Sequence, residues 1–372
     1  MNTELKIENK KVDKFNFLSI LSKYSVPLLF AIICIAGAML SGLTVKHIVG
    51  DVILRLDRNL FLVIALIIPV LAGMGLNFAI VIGAIAGQIG LIIIRFMDIG
   101  GIGGLTLAFL FSTPFAIIFG YGVGKILNKT KGREMITSLI LGYFANGLYQ
   151  LVFLLFVGTI IPINNPELML PGGIGLKNAF DLDLIKYALD NIMDFKIMGV
   201  KIPFFTFILV ALLCIFLQFI VKTKLGQNFR ALGQDIRIAD VAGINVDRTR
   251  IIAMIISTVL AAWGQIIFLQ NIGTIQTYTA HEQAGMFAAA ALVIGGATVT
   301  KATIGQAIVG TILFHTLFTV SPSAGKNLFG DAQIGEYFRS FIAYGVIAMS
   351  LFLHAWQKNV AVRNKEKLEE KN

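Results

Sequence analysis

Amide and aromatic side chains are concentrated between residues 263 and 278, within an otherwise apolar part of the chain. Side-chain amides offer a hydrogen-bond donor and an acceptor together, and indole and phenol rings offer a flat apolar face. The combination suits contact with an uncharged polyhydroxylated or heterocyclic solute, and the residues concerned are Trp263, Gln265, Gln270, Asn271, Gln276 and Tyr278. In the alternative interpretation Gln265 makes an interhelical hydrogen bond, and both rings lie in an interfacial aromatic belt.

A second stretch of this kind, residues 75–90, combines glycines with the polar or aromatic side chains of Asn77, Phe78 and Gln88. Irregular backbone at membrane depth is tolerated where it is buried in protein or lines a cavity. We predict that these residues border the same solute pathway. The alternative is that Gly83 and Gly87 serve close helix packing, as small residues four apart do in membranes.

A polar segment, residues 223–249, separates two long apolar runs. Its apolar residues recur with the period of one helix face: Leu225, Phe229, Leu232, Ile236 and Ala239. Arg230, Arg237 and Asp240 lie mostly off that stripe, so they are available to another protein. The alternative is a loop helix that lies on its own bundle.

The sequence contains no convincing nucleotide-binding, metal-binding or catalytic motif. The glycine-rich run Gly120–Lys125 lacks the spacing of a phosphate-binding loop, and Ile126 stands where such a loop needs Ser or Thr. The four histidines are far apart and have no metal-ligand spacing. We therefore predict no catalytic site, no metal and no cofactor. The acids fall in predicted loops, tails or membrane edges, which argues against an ion-coupled carrier with a carboxylate at mid-membrane.

The composition indicates a membrane protein. Of 372 residues, 56% are hydrophobic and 14% charged, and the mean hydropathy is +0.82. Soluble domains carry about 25% charged residues. Apolar runs long enough to cross a bilayer predict an all-α integral membrane fold of about ten transmembrane helices. They are 26–45, 60–78, 79–97, 105–125, 135–160, 202–222, 250–270, 284–299, 302–320 and 340–356.

Charge placement predicts the orientation. With both termini in the cytoplasm, 21 of the 31 Lys and Arg residues lie on the inner side. The net charge of +10 is thus a topology signal, and nucleic acid is not an expected partner. The predicted regions are a cytoplasmic N-terminal segment (1–25), a transmembrane domain (26–356) and a cytoplasmic tail (357–372). The transmembrane domain includes an outer loop (161–201), with a short helix near 182–193. Five plus five crossings would suit an inverted repeat.

The segment Gly226–Ile244 resembles the cytoplasmic coupling loop of ABC importer permeases, in particular the branched-chain amino acid, ribose and simple-sugar family. Glycines, the RALG run and a later Ala and Gly-Ile carry the likeness, which extends over about 75–355. The resemblance implies that the loop docks on a separate ATPase subunit. The residues expected to contact it are Gly226, Phe229, Arg230, Ala231, Leu232, Gly233, Arg237, Ala239 and Gly243. Gly233 and Gly243 are predicted turn points between short helices.

The resemblance also implies a role and its partners. We expect a permease subunit of a bacterial inner-membrane importer for a small neutral solute, a simple sugar or a nucleoside, with no enzymatic activity of its own. Its partners would be ABC ATPase subunits, a second identical or similar permease and an extracytoplasmic solute-binding protein that lands on the outer loop. Near residues 75–90 the resemblance suggests a discontinuous helix beside the pathway. The rivals are a stand-alone ion-coupled secondary transporter and a membrane scaffold or enzyme.

Overall fold

The computed structural model describes residues 24–162, 165–197, 199–345, 347–349 and 352. Most of the predicted N-terminal segment and the whole predicted tail therefore lie outside the described residues. The helices are α1 Ser25–Ser41, α2 Val45–Ala65, α3 Ile67–Leu71, α4 Ile80–Phe96, α5 Gly101–Lys129, α6 Glu134–Leu151, α7 Phe204–Lys222, α8 Lys224–Gln234, α9 Ile236–Val241, α10 Val246–Ile272, α11 Glu282–Ile294, α12 Ile304–Phe329 and α13, residues 332–345. A π-helical turn, Val152–Phe156, extends α6.

The long helix α10 forms the centre of the bundle and packs against α2, α4 and α5. Small residues allow this approach. A Cβ atom added at Gly83 of α4 would lie 2.6 Å from the Thr258 carbonyl oxygen, and one at Gly120 of α5 would lie 2.8 Å from Ile255 Cα. The glycines of α4 therefore serve helix packing, as close-packed membrane helices require.

Among the described residues, five helices are long and apolar enough to cross a membrane: α5, the extended α6, α7, α10 and α12. In the most apolar 18-residue stretch of α10, 61% is buried within the protein, against 17% in the corresponding stretch of α6. The outer faces of α6 and α7 expose large apolar side chains such as Phe144 and Phe219. A water-soluble protein does not expose continuous apolar surface of this size, so these faces are suited to lipid. The number of ten crossings stays a prediction.

The boundaries of the second predicted crossing, 60–78, do not match a helix, whereas the third, 79–97, agrees with α4 to within a residue at each end. The second was predicted to begin at residue 60, but α2 begins at Val45 and brings the charged residues between 51 and 58 into the bundle. The chain is then irregular and buried over 72–79, and α4 runs unbroken over Ile80–Phe96. The discontinuity predicted near residues 75–90 thus precedes α4.

Short strands make the fold not purely helical. β1 Ala179–Asp181 pairs antiparallel with β4 Thr274–Gln276, directly after α10 ends at the left-handed Gly273. β2 Asp194–Ile197 pairs with β3 Val200–Pro203. Hydrogen-bonded turns occupy the region of the short helix predicted near 182–193, so that prediction was wrong. We call the end of the bundle that carries residues 165–203 the strand end, and the opposite end, with α8 and α9, the loop end.

Candidate functional site

Three capping residues divide the polar segment into short helices. The Thr223 hydroxyl accepts a hydrogen bond from the Gly226 N–H at the start of α8. The Asp235 carboxylate accepts from the Arg237 and Ile238 N–H groups at the start of α9, and Asn245 caps α10. Side-chain oxygens at these positions satisfy the free N–H groups of a helix start. The break between α8 and α9 therefore falls at Asp235.

One side of α8 and α9 is buried against the bundle, as the apolar stripe predicted. Phe229, Leu232 and Ala239 are buried. The left-handed backbone of Gly243, with φ of +80°, turns the chain from α9 toward α10, as predicted. The remaining members of the predicted set are placed as follows: Gly226 is buried, Ala231 and Gly233 are partly buried, and Arg230 and Arg237 are exposed.

The other side of this segment is exposed and includes two large apolar side chains. Ile238 is 70% exposed and Val241 is 91% exposed, on the same short helix. Arg230, on the preceding helix α8, is also exposed and donates a hydrogen bond to the Val221 carbonyl oxygen at 3.0 Å. We call Arg230, Arg237, Ile238 and Val241 the α8–α9 surface. An apolar centre beside two guanidinium groups has the composition of a protein-binding surface.

Gly233 does not act as the predicted turn point, because it lies inside α8. Its role is close contact with the end of α3. A Cβ atom at Gly233 would overlap the Leu71 carbonyl oxygen, and one at Gly73 would lie 2.9 Å from the Leu232 carbonyl oxygen. Backbone therefore meets backbone where α8 touches the α3–α4 connection.

A buried ion pair lies at the same end of the molecule. Arg250, on the first turns of α10, is fully buried, and its Nη2 atom donates to Glu134 Oε1 of α6 at 2.7 Å. Lys131 and Asp247 form a second, exposed pair between the same two parts of the chain, also at 2.7 Å. Both pairs connect the start of α10 to the turn between α5 and α6.

In the predicted stretch 75–90, the Asn77 carboxamide oxygen accepts from the Ala79 N–H, and the Phe78 N–H donates to the Ser138 hydroxyl. Gln88 is buried, and its side-chain oxygen lies 2.7 Å from His281 Nδ1. The Nε2 atom of this histidine lies 2.8 Å from the Asn146 oxygen. Burial lowers the pKa of His281, which precedes α11, to about 4. A neutral imidazole has one N–H, so one of these amides must present its nitrogen to the ring.

The predicted stretch 263–278 is divided between two places. Trp263 donates to the Thr113 hydroxyl at 3.0 Å and lines an apolar groove between α5, α7 and α10. Gln265 is buried and donates to the Ala280 carbonyl oxygen. Toward the strand end, Tyr278 donates to the Leu176 carbonyl oxygen at 2.8 Å, and exposed Gln276 belongs to β4. Phe78 lines a different cavity, of about 130 Å³, with Asn146 and Glu282. The structure therefore does not bring the two predicted stretches into one cavity.

Gln270 and Asn271 hold a buried carboxylate. Asp190 accepts from Asn271 Nδ2 at 2.7 Å, from Gln270 Nε2 at 3.3 Å and from the Thr206 hydroxyl at 2.8 Å. Asp57 of α2 adjoins it, fully buried, and neither of its carboxyl oxygens has a hydrogen-bond partner among the described residues. Adjacent buried carboxyls cannot both ionise at low cost, so we infer that they share a proton.

The acids were expected in loops, tails or membrane edges, but Asp57 lies inside α2, and Asp57, Asp190 and Glu134 are all enclosed by protein. Both aspartates lie at the strand end, beside the last turn of α10. Within the described residues, no group of three or more His, Cys, Asp or Glu could hold a metal ion.

We expect substitutions of the two aspartates to change the free energy of unfolding by very different amounts. Asp190→Ala leaves three buried donors unsatisfied and should lower the free energy of unfolding by about 3 kcal/mol. Asp57→Asn should change it by less than about 1 kcal/mol, because an amide can donate to Asp190 as the shared proton does. Thermal unfolding of the purified chain in detergent measures both. A larger loss for Asp57→Asn than for Asp190→Ala would contradict the shared proton.

Sequence reasoning missed Ile238 and Val241, although the apolar stripe excludes both of them from the buried face. It also missed a cavity lined by Arg55 and Arg58 of α2 and by His315 of α12, two distant parts of the chain. Because the predicted crossing began at residue 60, the charged first half of α2 was not predicted to belong to the bundle.

Buried polar side chains within a bundle whose helices expose apolar faces define a multi-pass membrane protein. Residues 75–351 match the family described as the permease component of the branched-chain amino acid transport system. The chain belongs to this permease family, as the resemblance of its polar segment predicted. It is a transport component, a permease of the ABC class.

Curated relatives include several permeases of this kind. The chain is 24% identical to the D-allose transport system permease of Escherichia coli over 359 residues, covering 94% of this chain and 97% of that protein. It is 26% identical to a xylose transport permease of Haemophilus influenzae, covering 49% of this chain and 48% of that protein. With a nucleoside ABC transporter permease of Lactococcus lactis the identity is 31%, over 41% of this chain and 46% of that protein. No solved structure matches the chain.

Proposed function

We propose that this chain is the membrane subunit of an ATP-driven importer of a small neutral sugar or nucleoside, located in the bacterial inner membrane. The α8–α9 surface carries the proposal, since it presents exposed Ile238 and Val241 beside Arg230 and Arg237 at one end of the bundle. In this proposal the surface lies in the cytoplasm and contacts an ATPase subunit. Both chain termini lie on the same side, and residues 165–203 face outward toward a solute-binding protein.

The route from that surface into the bundle is short. α8 contacts the α3–α4 connection at Gly233, and α10 begins three residues after Gly243. Because the contacts at Gly233 are between backbone atoms, the surface and the helix ends move together as a rigid unit. ATP-driven motion of the ATPase would thereby reach α2, α4 and α10. The substrate pathway proposed from the sequence remains a proposal: Asn77, Phe78, Gln88, Trp263, Gln265, Gln270, Asn271, Gln276 and Tyr278.

Charged substitutions on the α8–α9 surface should separate the chain from its ATPase. Ile238→Asp and Val241→Asp each remove an apolar side chain whose burial contributes about 1.5–3 kcal/mol. We expect ATPase activity that co-purifies with the tagged chain from native membranes to fall at least about tenfold. Ile160→Asp, at a site that is also 70% exposed but lies in the turn after α6, is the control. Equal ATPase recovery with all three variants would contradict this role.

One observation favours a second function, a stand-alone ion-coupled carrier. Buried carboxyls inside membrane proteins often belong to ion paths, and Asp57 is fully buried beside Asp190. Uptake by vesicles that contain this chain alone, driven by a proton or sodium gradient, would support the carrier. Loss of that uptake in Asp57→Asn would assign the coupling to this pair.

A further inference from the structure

An apolar groove of about 350 Å³ lies between α4, α5 and the extended α6, and it opens on the face of the bundle where Phe144 is exposed. The groove exists because α5 packs far more extensively on α4 and α10 than on α6. Its described lining includes no residue of the predicted solute pathway. The space between α5 and α6 is therefore available to a molecule other than the transported solute.

The α5 wall of this α5–α6 groove has nearly the length of one bilayer leaflet. It runs from Ile118 to Ile126, about 12 Å at the rise of an α-helix. Half of the hydrocarbon core of a bilayer is about 15 Å thick. A lipid tail lying along this wall would place its headgroup close to the last turn of α5, which ends at Lys129.

Basic side chains lie where that headgroup would be. Lys125 and Lys129 occupy the last two turns of α5, and both are exposed. Together with Ile118 they share one side of the helix, because residues four and seven apart lie above one another. The Lys125 ammonium lies 5.0 Å from the centre of the Tyr121 ring. Lysine and tyrosine in such positions bury their apolar parts and reach the headgroup layer with their polar ends.

The carboxylates at this end of the bundle already have partners. Glu134 pairs with Arg250, and Asp247 pairs with Lys131. In the part of the chain that the structure describes, Lys125 and Lys129 form no ion pair. Lysines at helix ends also set the orientation of a membrane protein, but that role needs no groove beside them. An apolar groove that ends at two unneutralised ammonium groups fits a molecule with a long tail and an anionic head.

We propose that the α5–α6 groove binds one tail of an anionic phospholipid, whose phosphate lies between Lys125 and Lys129. The bound tail fills the gap that α5 and α6 leave between them. The ammonium groups neutralise the headgroup, and a basic side chain near a membrane surface contributes about a factor of five in affinity for an anionic lipid. The site does not depend on which solute the chain carries.

Native mass spectrometry of the purified full chain in detergent tests this proposal with three probes. Phosphatidylglycerol has the tails and the negative charge, phosphatidylcholine has the same tails without net charge, and glycerophosphoglycerol has the headgroup without tails. We expect the first phosphatidylglycerol to bind at least fivefold more tightly than the first phosphatidylcholine. Glycerophosphoglycerol should not bind at the same concentration.

Variants separate the contribution of the headgroup from that of the tail. Lys125→Gln combined with Lys129→Gln should weaken phosphatidylglycerol binding at least tenfold and change phosphatidylcholine binding less than twofold. Ala145→Phe, which adds a ring to the α6 wall, should weaken the binding of both lipids. Lys224→Gln is the charge-matched control, because Lys224 is an exposed lysine of α8 that does not line the groove, and it should change phosphatidylglycerol binding less than twofold.

Equal affinity for the two lipids, or wild-type binding of phosphatidylglycerol in the double lysine variant, would overturn the inference. An equal loss in Lys224→Gln would do so too, since it would show a diffuse attraction to the whole basic end of the bundle. Tight binding of glycerophosphoglycerol, or unchanged lipid binding in Ala145→Phe, would exclude the groove as the site of the tail. Thermal unfolding of each variant without added lipid identifies any loss of binding that is due to misfolding.

Discussion

Gly233→Ala should reduce ATP-driven solute uptake at least tenfold in the reconstituted importer. The added Cβ atom would overlap the Leu71 carbonyl oxygen, which is backbone and cannot rotate away. Overpacking of this kind costs about 1–3 kcal/mol, and 1.4 kcal/mol is a factor of ten in an equilibrium. We expect α8 to move off the α3–α4 connection, so that ATP hydrolysis continues without matched uptake. Parallel assays of hydrolysis and uptake measure the ratio.

Gly122→Ala is the matched control for this change. Gly122 lies in α5, and a Cβ atom there has no neighbouring atom within 4 Å. The substitution should leave the ratio of uptake to hydrolysis unchanged and stabilise the helix slightly. Normal coupling in Gly233→Ala, in a protein with wild-type thermal stability, would show that this contact does not transmit the motion.

The second large effect concerns the Arg250–Glu134 pair. Arg250→Met leaves the Glu134 carboxylate buried without its cation, and should lower the free energy of unfolding by about 3–5 kcal/mol. Adding Glu134→Gln should restore much of the loss, because no unpaired charge remains. Thermal unfolding of the two variants and of wild type in one detergent measures the difference.

The exposed Lys131–Asp247 pair is the internal comparison, because it joins the same two parts of the chain. Its side chains are 42% and 62% exposed, so Lys131→Met should cost less than about 1 kcal/mol. If both lysine and arginine variants unfold at the same temperature, burial does not determine the strength of these pairs. A further loss of stability when Glu134→Gln is added to Arg250→Met would also contradict the role of a buried unpaired charge.

Local periodicity was enough to predict which side of the polar segment is buried. Phe229, Leu232 and Ala239 share one face of a helix, and the structure buries all three. The break at Asp235 could also be predicted from the sequence, since an aspartate that caps a helix start is a local signal. The different roles of Gly233 and Gly243 could not be predicted from the sequence. Gly243 has a left-handed backbone and Gly233 does not, and the difference follows from Leu71, about 160 residues away.

The charged half of α2 shows where hydropathy fails. Asp51, Arg55, Asp57 and Arg58 lower the mean hydropathy enough that the predicted crossing begins after them. In the structure these charges pair with each other or with residues of α10, α12 and the strand end. A buried charge is stable only when it is paired or hydrogen-bonded. Several of the partners here come from distant parts of the chain, so hydropathy averaged over neighbouring residues does not reveal them. The cavity beside Arg58 was missed for the same reason.

Uptake of a tritiated solute into proteoliposomes tests whether import through this chain depends on an ATPase. The vesicles contain the chain with its ATPase and binding-protein partners, and carry no ion gradient. Uptake should require ATP on the side of the α8–α9 surface and should be lost in Ile238→Asp and Val241→Asp. Equal uptake by the chain alone, driven by an ion gradient without ATP or an ATPase, would contradict it.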